Sequence, residues 1–150
     1  MDQEGLIALW HACGFSEKVR SHAASFPDLT GNPRTRAVVA VTPALGVVGS
    51  VLIGYDGWWG WLYRLAVMPQ VRRQGIARQL VAFAEEIASS SGAIFLNAIV
   101  NRENESSLRT FCSVGWQVDS QHLRVTKTVP AAAAGQCWSS RAAMRTPPSI

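Results

Sequence analysis

The 150-residue sequence predicts an α/β fold, an α+β mixed sheet with helices packed on its faces. Three observations carry that expectation. Apolar runs of strand length and amphipathic stretches of helix length follow one another in the order ααβββαβαββ. Asp56-Gly57 joins two of the apolar runs in the manner of a tight hairpin. One helix-length stretch separates the runs 59–67 and 94–100, so these form a βαβ unit and lie side by side in parallel.

In residues 3–13, Leu6, Ile7, Leu9, Trp10 and Cys13 recur at helical spacing, and Gly14 follows as a C-terminal cap. A weaker helix is expected over 16–25, with Pro27 beyond it, and 26–35 is a loop by composition. Strands are expected over 37–41, 47–55 and 59–67, with Pro43 and Gly46 at the first turn. Residues 73–90 give the clearest helix, in which Ile76, Leu80, Phe83, Ala84 and Ile87 form one stripe with Gln79, Glu85 and Glu86 off it. Residues 94–100 are apolar except for Asn97 and predict a buried strand. A short helix over 104–114 turns Leu108, Phe111 and Cys112 inward and stops at Gly115. Two final strands are expected over 116–119 and 122–128. From Val129 the chain is Ala-, Ser- and Pro-rich and aperiodic, so one domain is expected over 1–128 and a flexible tail over 129–150.

With 48% hydrophobic and 16% charged residues, the chain is long enough and apolar enough to bury a core. The net charge of +4 is carried by scattered arginines; no basic stripe interleaves with aromatics, which argues against nucleic acid as a partner. Residues 37–55 are apolar but broken by Thr42, Pro43 and Gly46, so no membrane span is expected. The opening MDQEGL has neither a basic nor an apolar leader region, and Cys13, Cys112 and Cys137 form no C-x-x-C pair. These point to reduced thiols in a cytoplasm, with Cys13 and Cys112 as small buried hydrophobes. His11, His22 and His122 lack metal-ligand spacing, and no metal is expected.

The segment that carries chemistry runs from Leu65 to Arg78 (LAVMPQVRRQGIAR). A strand ends at Pro69, a basic loop follows, and Gly75 sits at the first turn of the amphipathic helix. The first amides of a helix have no intrahelical acceptor and the dipole favours negative charge there, so this is an anion site. Gly75 lets a diphosphate approach the backbone, while Arg72, Arg73 and Arg78 add charge. There is no Gly-Lys-Ser/Thr of a P-loop and no G-x-G-x-x-G dinucleotide fingerprint.

Arg72-x-x-Gly75-x-Ala77, preceded by Leu65-Ala66-Val67, resembles the R/Q-x-x-G-x-G/A signature of the GNAT superfamily, the acyl-CoA-dependent N-acyltransferases. Asn104, the short helix and Val114-Gly115-Trp116 resemble that family's second segment, and the likeness covers about residues 6–128. The resemblance implies a GNAT-like fold in which the parallel strands 59–67 and 94–100 splay apart at a bulge. It implies that the pantetheine arm of acetyl-CoA lies in the gap, bonded to backbone at Leu65 and Val67. The pyrophosphate would rest on the amides of Arg73, Gln74, Gly75, Ile76, Ala77 and Arg78, and a backbone N–H around Leu65, Ala66 and Val67 would polarise the thioester carbonyl. Asn104 is implied to contact the cofactor arm, and it also suits a helix N-cap. An amine would then attack the acetyl carbon directly.

The sequence departs from that pattern in three places. Phe111 stands where many GNAT enzymes carry a proton-donating Tyr, so it is left to line the cofactor or pack in the core; Tyr63 is the candidate stand-in acid. Ile99 stands where some members carry a Glu base. The usual first edge strand is not seen before the first helix, which leaves a sheet edge open to a homodimer. Trp59, Trp61 and Tyr63 share one face, as core packing or as the wall of an acceptor site. The acceptor itself is any primary amine, small-molecule or protein. An acyl-CoA-binding regulatory domain of weak activity and a phosphate-binding module are the alternatives.

Overall fold

The computed structural model describes residues 3–15 and 31–126. The chain divides into two units, 1–118 and 119–150. In the first, helix α1 (Gln3–Ala12) precedes strands β1 (Thr35–Thr42), β2 (Gly46–Tyr55) and β3 (Trp59–Val67). A 3-10 turn (Pro69–Val71), helix α2 (Ile76–Ser90), strand β4 (Phe95–Ala98) and helix α3 (Glu105–Cys112) follow. The expected helix over 16–25 and the tail from 129 lie outside the described residues.

The sheet order is β1-β2-β3-β4, with the first two pairings antiparallel and β3–β4 parallel, in register from Trp59↔Phe95 to Leu62↔Ala98. The βαβ unit expected from the sequence is thus present. Two cores sandwich the sheet. On one face α1 sets Leu6, Leu9 and Trp10 against Val47, Leu52 and Ala66. On the other, α2 and α3 bury Leu80, Val81, Ala84, Ala88 and Phe111 against Val51, Ile53 and Leu62.

Several expectations need correction. Phe83 is 58% exposed whereas Val81 is fully buried. The face of α2 that meets the sheet is centred on Ala84, and Phe83 lies about 100° round the helix from it. Cys112 is exposed and Cys13 only partly covered, because the inward side of α3 is occupied by Phe111. The buried strand expected over 94–100 is the short edge strand β4, with Ile94, Phe95 and Ile99 largely exposed. It has a neighbour on one side alone among the described residues. Nor do 116–119 and 122–126 form the two final strands. In the second unit the Asp119 carboxylate takes the amides of Gln121 and His122 and the ring of His122, which spends the local donors on a turn instead of a ladder. No described helix is long and apolar enough to cross a membrane.

Candidate active site

The site begins with a defect in β3. Between the pairs Ser50↔Ala66 and Leu52↔Tyr63 the register slips, so β3 carries one residue more than β2. Arg64 sits in the slip with φ +53°, a left-handed conformation that a side-chain-bearing residue adopts at a cost. A relay holds it there: Trp10 Nε1 donates to Ser50 Oγ at 3.0 Å, and Ser50 Oγ donates to the Arg64 carbonyl at 3.0 Å. Trp10 and Ser50 are both fully buried. The Arg64 guanidinium lies 5.5 Å from the Trp10 ring centre and 5.1 Å from that of Phe15, a cation–π sandwich; burial lowers its pKa. The sequence marks Trp10 only as part of the apolar stripe of the first helix and does not mark Ser50. The available signal was a lone hydroxyl in the apolar run GVVGSVLIG.

Beyond the bulge, β3 has no strand on one edge among the described residues. Its pairing with β4 stops at Leu62↔Ala98, yet β3 runs on to Val67. The Met68 amide turns toward β2 and donates to Val48 O at 2.8 Å, so strand alternation turns Leu65 and Val67 the other way. Their backbone groups face the gap left by β4, while Ala66 is buried on the α1 side. The Val67 carbonyl accepts from Arg72 Nε at 3.0 Å and from Cys13 Sγ at 3.4 Å.

The loop leads from this gap to α2. Arg73 has φ +67° and Gly75 has φ +81° as the N-cap of α2, which no side chain caps. The amides of Ile76, Ala77 and Arg78 therefore point out of the helix without intrahelical acceptors. A Cβ built on Gly75 meets nothing within 4 Å, so a ligand has room there. Arg78 is drawn to α3 by its Nε, which donates to Ser113 Oγ at 3.1 Å. Arg72 and Arg78 are thus both anchored through Nε, and their terminal nitrogens take no part in these two bonds. Gln74 is exposed on the same loop.

The other candidates fall around this frame. Asn104 caps α3, its side chain accepting from the Ser107 amide at 3.1 Å. Phe111 is 7% exposed in the α2–α3 core and packs 4.8 Å from the Trp116 ring, whose Nε1 donates to Glu85 at 2.6 Å. Ile99 is exposed just past β4. Tyr63 is 46% exposed; its ring lies over Gly54 on β2, where an added Cβ would be 3.2 Å away. Burial, and then the charge of Asp56, push the Tyr63 phenol up, so it keeps its proton at neutral pH. Trp59, at 41% exposure, and Trp61 are not core residues, because α1 covers only the Leu52–Ala66 end of this face. No group of His, Cys, Asp and Glu fit to hold a metal occurs among the described residues.

Known proteins are similar to this chain in sequence and in architecture. Residues 3–116 match the Acetyltransferase (GNAT) family. Acetyltransferase YE1169 of Yersinia enterocolitica is 32% identical over 106 residues, 70% of this chain and 74% of that protein. Acetyltransferase SG1711 of Sodalis glossinidius is 28% identical over 127 residues, 84% of this chain and 88% of that protein. The fold is similar to that of AAC(6')-Iy in complex with the bisubstrate analogue CoA-S-monomethyl-acetylneamine. The TM-score is 0.72 at 16% identity, covering 85% of this chain and 92% of that one. The chain belongs to the GNAT acetyltransferase family and is an acyl-CoA-dependent N-acetyltransferase.

Proposed function

We propose that this protein binds acetyl-CoA along the open edge of β3 and the mouth of α2, and transfers the acetyl group directly to a primary amine. The observation that carries this reading is the continuous path from the gap beyond Leu62↔Ala98, past Leu65 and Val67, to the uncapped amides at Ile76–Arg78. An extended amide-bearing arm suits an unpaired strand edge. A pyrophosphate suits a helix N-terminus flanked by Arg72, Arg73 and Arg78, with Gly75 leaving it space. Asn104, at the head of α3, borders the same arm.

In the transfer, the amine nitrogen bonds to the acetyl carbon as the carbon–sulfur bond breaks; nitrogen loses a proton and sulfur gains one. A β3 amide in the bulged segment 64–67 holds the developing oxyanion. Phe111 has no proton to give. Tyr63 does, and is the candidate donor to sulfur once its ring swings off Gly54; a thiol with pKa about 8.5 otherwise leaves as its anion. The proton from nitrogen goes to water, since Ile99 is no base and hydrogen bonds hold Asp56 as a weak one. Calorimetric titration with acetyl-CoA, dephospho-CoA and ATP tests the site. Micromolar binding of acetyl-CoA with weak binding of ATP is expected; equal affinity for ATP would reduce the site to a general phosphate cradle.

A further inference from the structure

We infer that the aromatic face of β3, with the Asp56 carboxylate at its far end, is an acceptor subsite built for an amine that carries a second positive charge. The inference rests on the transfer reading above and names the class of acceptor. It starts from which side chains share a face. Leu52↔Tyr63 and Gly54↔Trp61 are cross-strand pairs, and Trp59↔Phe95 and Trp61↔Asn97 are parallel pairs. Alternation therefore sets Trp59, Trp61, Tyr63, Phe95 and Asn97 on the α1 side of the sheet, beyond the reach of α1. The Trp59 and Trp61 ring centres are 6.3 Å apart at 45°. Gly54 lets the Tyr63 ring lie flat across β2, extending the aromatic surface.

Asp56 gives this surface its sign. One carboxylate oxygen accepts the amides of Trp58 at 2.9 Å and Trp59 at 2.7 Å, and the other accepts Trp61 Nε1 at 3.1 Å. The same bonds lock the Trp61 ring in place. Among the described residues this carboxylate has no ion-pair partner, and Arg34 reaches only the Asp56 backbone carbonyl, at 3.5 Å. An ionised, exposed carboxylate with no ion-pair partner among the described residues, flanked by indole and phenol faces, attracts a cation both by its charge and by the ring quadrupoles. A neutral apolar occupant would make no use of that charge. Asn97 Nδ2, on a residue of the same side of the sheet, is buried with no hydrogen-bond partner.

The spacing sets the length of the acceptor. β3 parts from β4 just after Leu62, so the reacting nitrogen belongs at the Tyr63 end. Trp61 and Trp59 lie about 7 and 13 Å back along the strand at about 3.3 Å per residue. The second charge is thus expected several bonds from the reacting amine, as in an alkyl diamine.

The test compares cadaverine with pentylamine and phenethylamine as acceptors for the full chain with saturating acetyl-CoA, read by free-thiol release. Cadaverine is expected to show about a 10-fold higher kcat/KM than either monoamine. Asp56→Asn and Trp61→Leu should each erase that preference while leaving acetyl-CoA affinity unchanged, which a merely structural role would not do. Equal use of the three amines, or a preference for phenethylamine, with acetyl-CoA binding intact, overturns the subsite and leaves the transfer reading standing. Failure to bind acetyl-CoA overturns the transfer reading instead. In that case quenching of tryptophan fluorescence decides the subsite: quenching by cadaverine but not pentylamine supports it, and no quenching by cadaverine overturns it.

Discussion

Residues 60–62 of β3 are laddered on both edges, to β2 and to β4, whereas among the described residues Tyr63, Ala66 and Val67 are laddered to β2 alone, with no strand on the other edge. The first half is fixed by backbone pairing and close packing: at Gly60 an added Cβ would stand 2.5 Å from Leu96 Cδ2 and 3.3 Å from Ala88 Cβ. The second half is fixed by side chains instead, through the Trp10–Ser50–Arg64 relay below the bulge and Arg72 on the Val67 carbonyl. A strand that must present its own backbone to a ligand gives up a ladder partner. Here the buried Trp10–Ser50 bond, the partly buried Ser50–Arg64 bond and the exposed Arg72–Val67 bond hold the segment instead.

Substitutions that strike one half and spare the other test this division. The largest effect is expected at the mouth of α2. Gly75→Val should block the approach of the pyrophosphate and cost about two charge-assisted hydrogen bonds, about 100-fold in acetyl-CoA affinity by calorimetry. Its left-handed φ adds about 1–2 kcal/mol of strain, to be read by denaturant unfolding. A variant that loses stability while keeping its acetyl-CoA affinity would place the anion elsewhere. Gly60→Val should do the reverse. Overpacking against Leu96 is expected to cost about 1–3 kcal/mol of stability and to act on acetyl-CoA affinity only through loosening of β4.

Ser50→Ala separates the relay from simple packing. It leaves the Trp10 indole N–H unpaired in the core and releases the Arg64 carbonyl, a loss of about 1–3 kcal/mol. Because the bulge sets the aim of the following amides, kcat should fall further than acetyl-CoA affinity. Equal falls in both would make the relay a matter of stability alone. The smallest effect lies at the hairpin that starts β3. The amide of Trp59, then the indole of Trp61 and the amide of Trp58, hold the Asp56 carboxyl below its usual pKa. A depressed carboxyl stabilises the fold fully above its unfolded pKa of about 3.9, and that contribution is lost as pH falls through the lower folded value. Melting temperature should stay level from neutral pH to about pH 5 and decline below about pH 4. Asp56→Asn should flatten part of that decline, and Asp119, lowered chiefly by the Gln121 amide, supplies another part.

Much of this frame is legible in the chain because it depends on near neighbours. Trp59–Val67 reads as a strand of those bounds from its apolar content and from the Asp-Gly turn before it. Asn104 reads as a cap because its partner, the Ser107 amide, is three residues away. Gly75 reads as part of the first turn of a helix beginning at Arg73; the structure begins that helix at Ile76 and makes Gly75 its N-cap, with the positive φ that glycine tolerates. The candidate anion loop, from Arg72 to Arg78, therefore stands out in the sequence without any tertiary information.

Other features depend on which element lands opposite, and periodicity does not report that. The apolar run 94–100 becomes an exposed edge because β4 pairs with β3 alone among the described residues. Trp59, Trp61 and Tyr63 alternate like core residues but open to solvent because α1 stops short of them. Residues 116–126 carry strand-like alternation yet take no ladder, their donors near Asp119 being spent locally. By itself the sequence determined the order of the elements and the basic loop at the head of α2, which are set by near neighbours, and the βαβ unit, which follows from that order and the handedness of crossover connections. The tertiary structure alone decided the bulge at Arg64 and the relay from Trp10 through Ser50. Each of these joins groups brought together by strand pairing or by packing across the sheet, and their geometry exists only once the chain has folded.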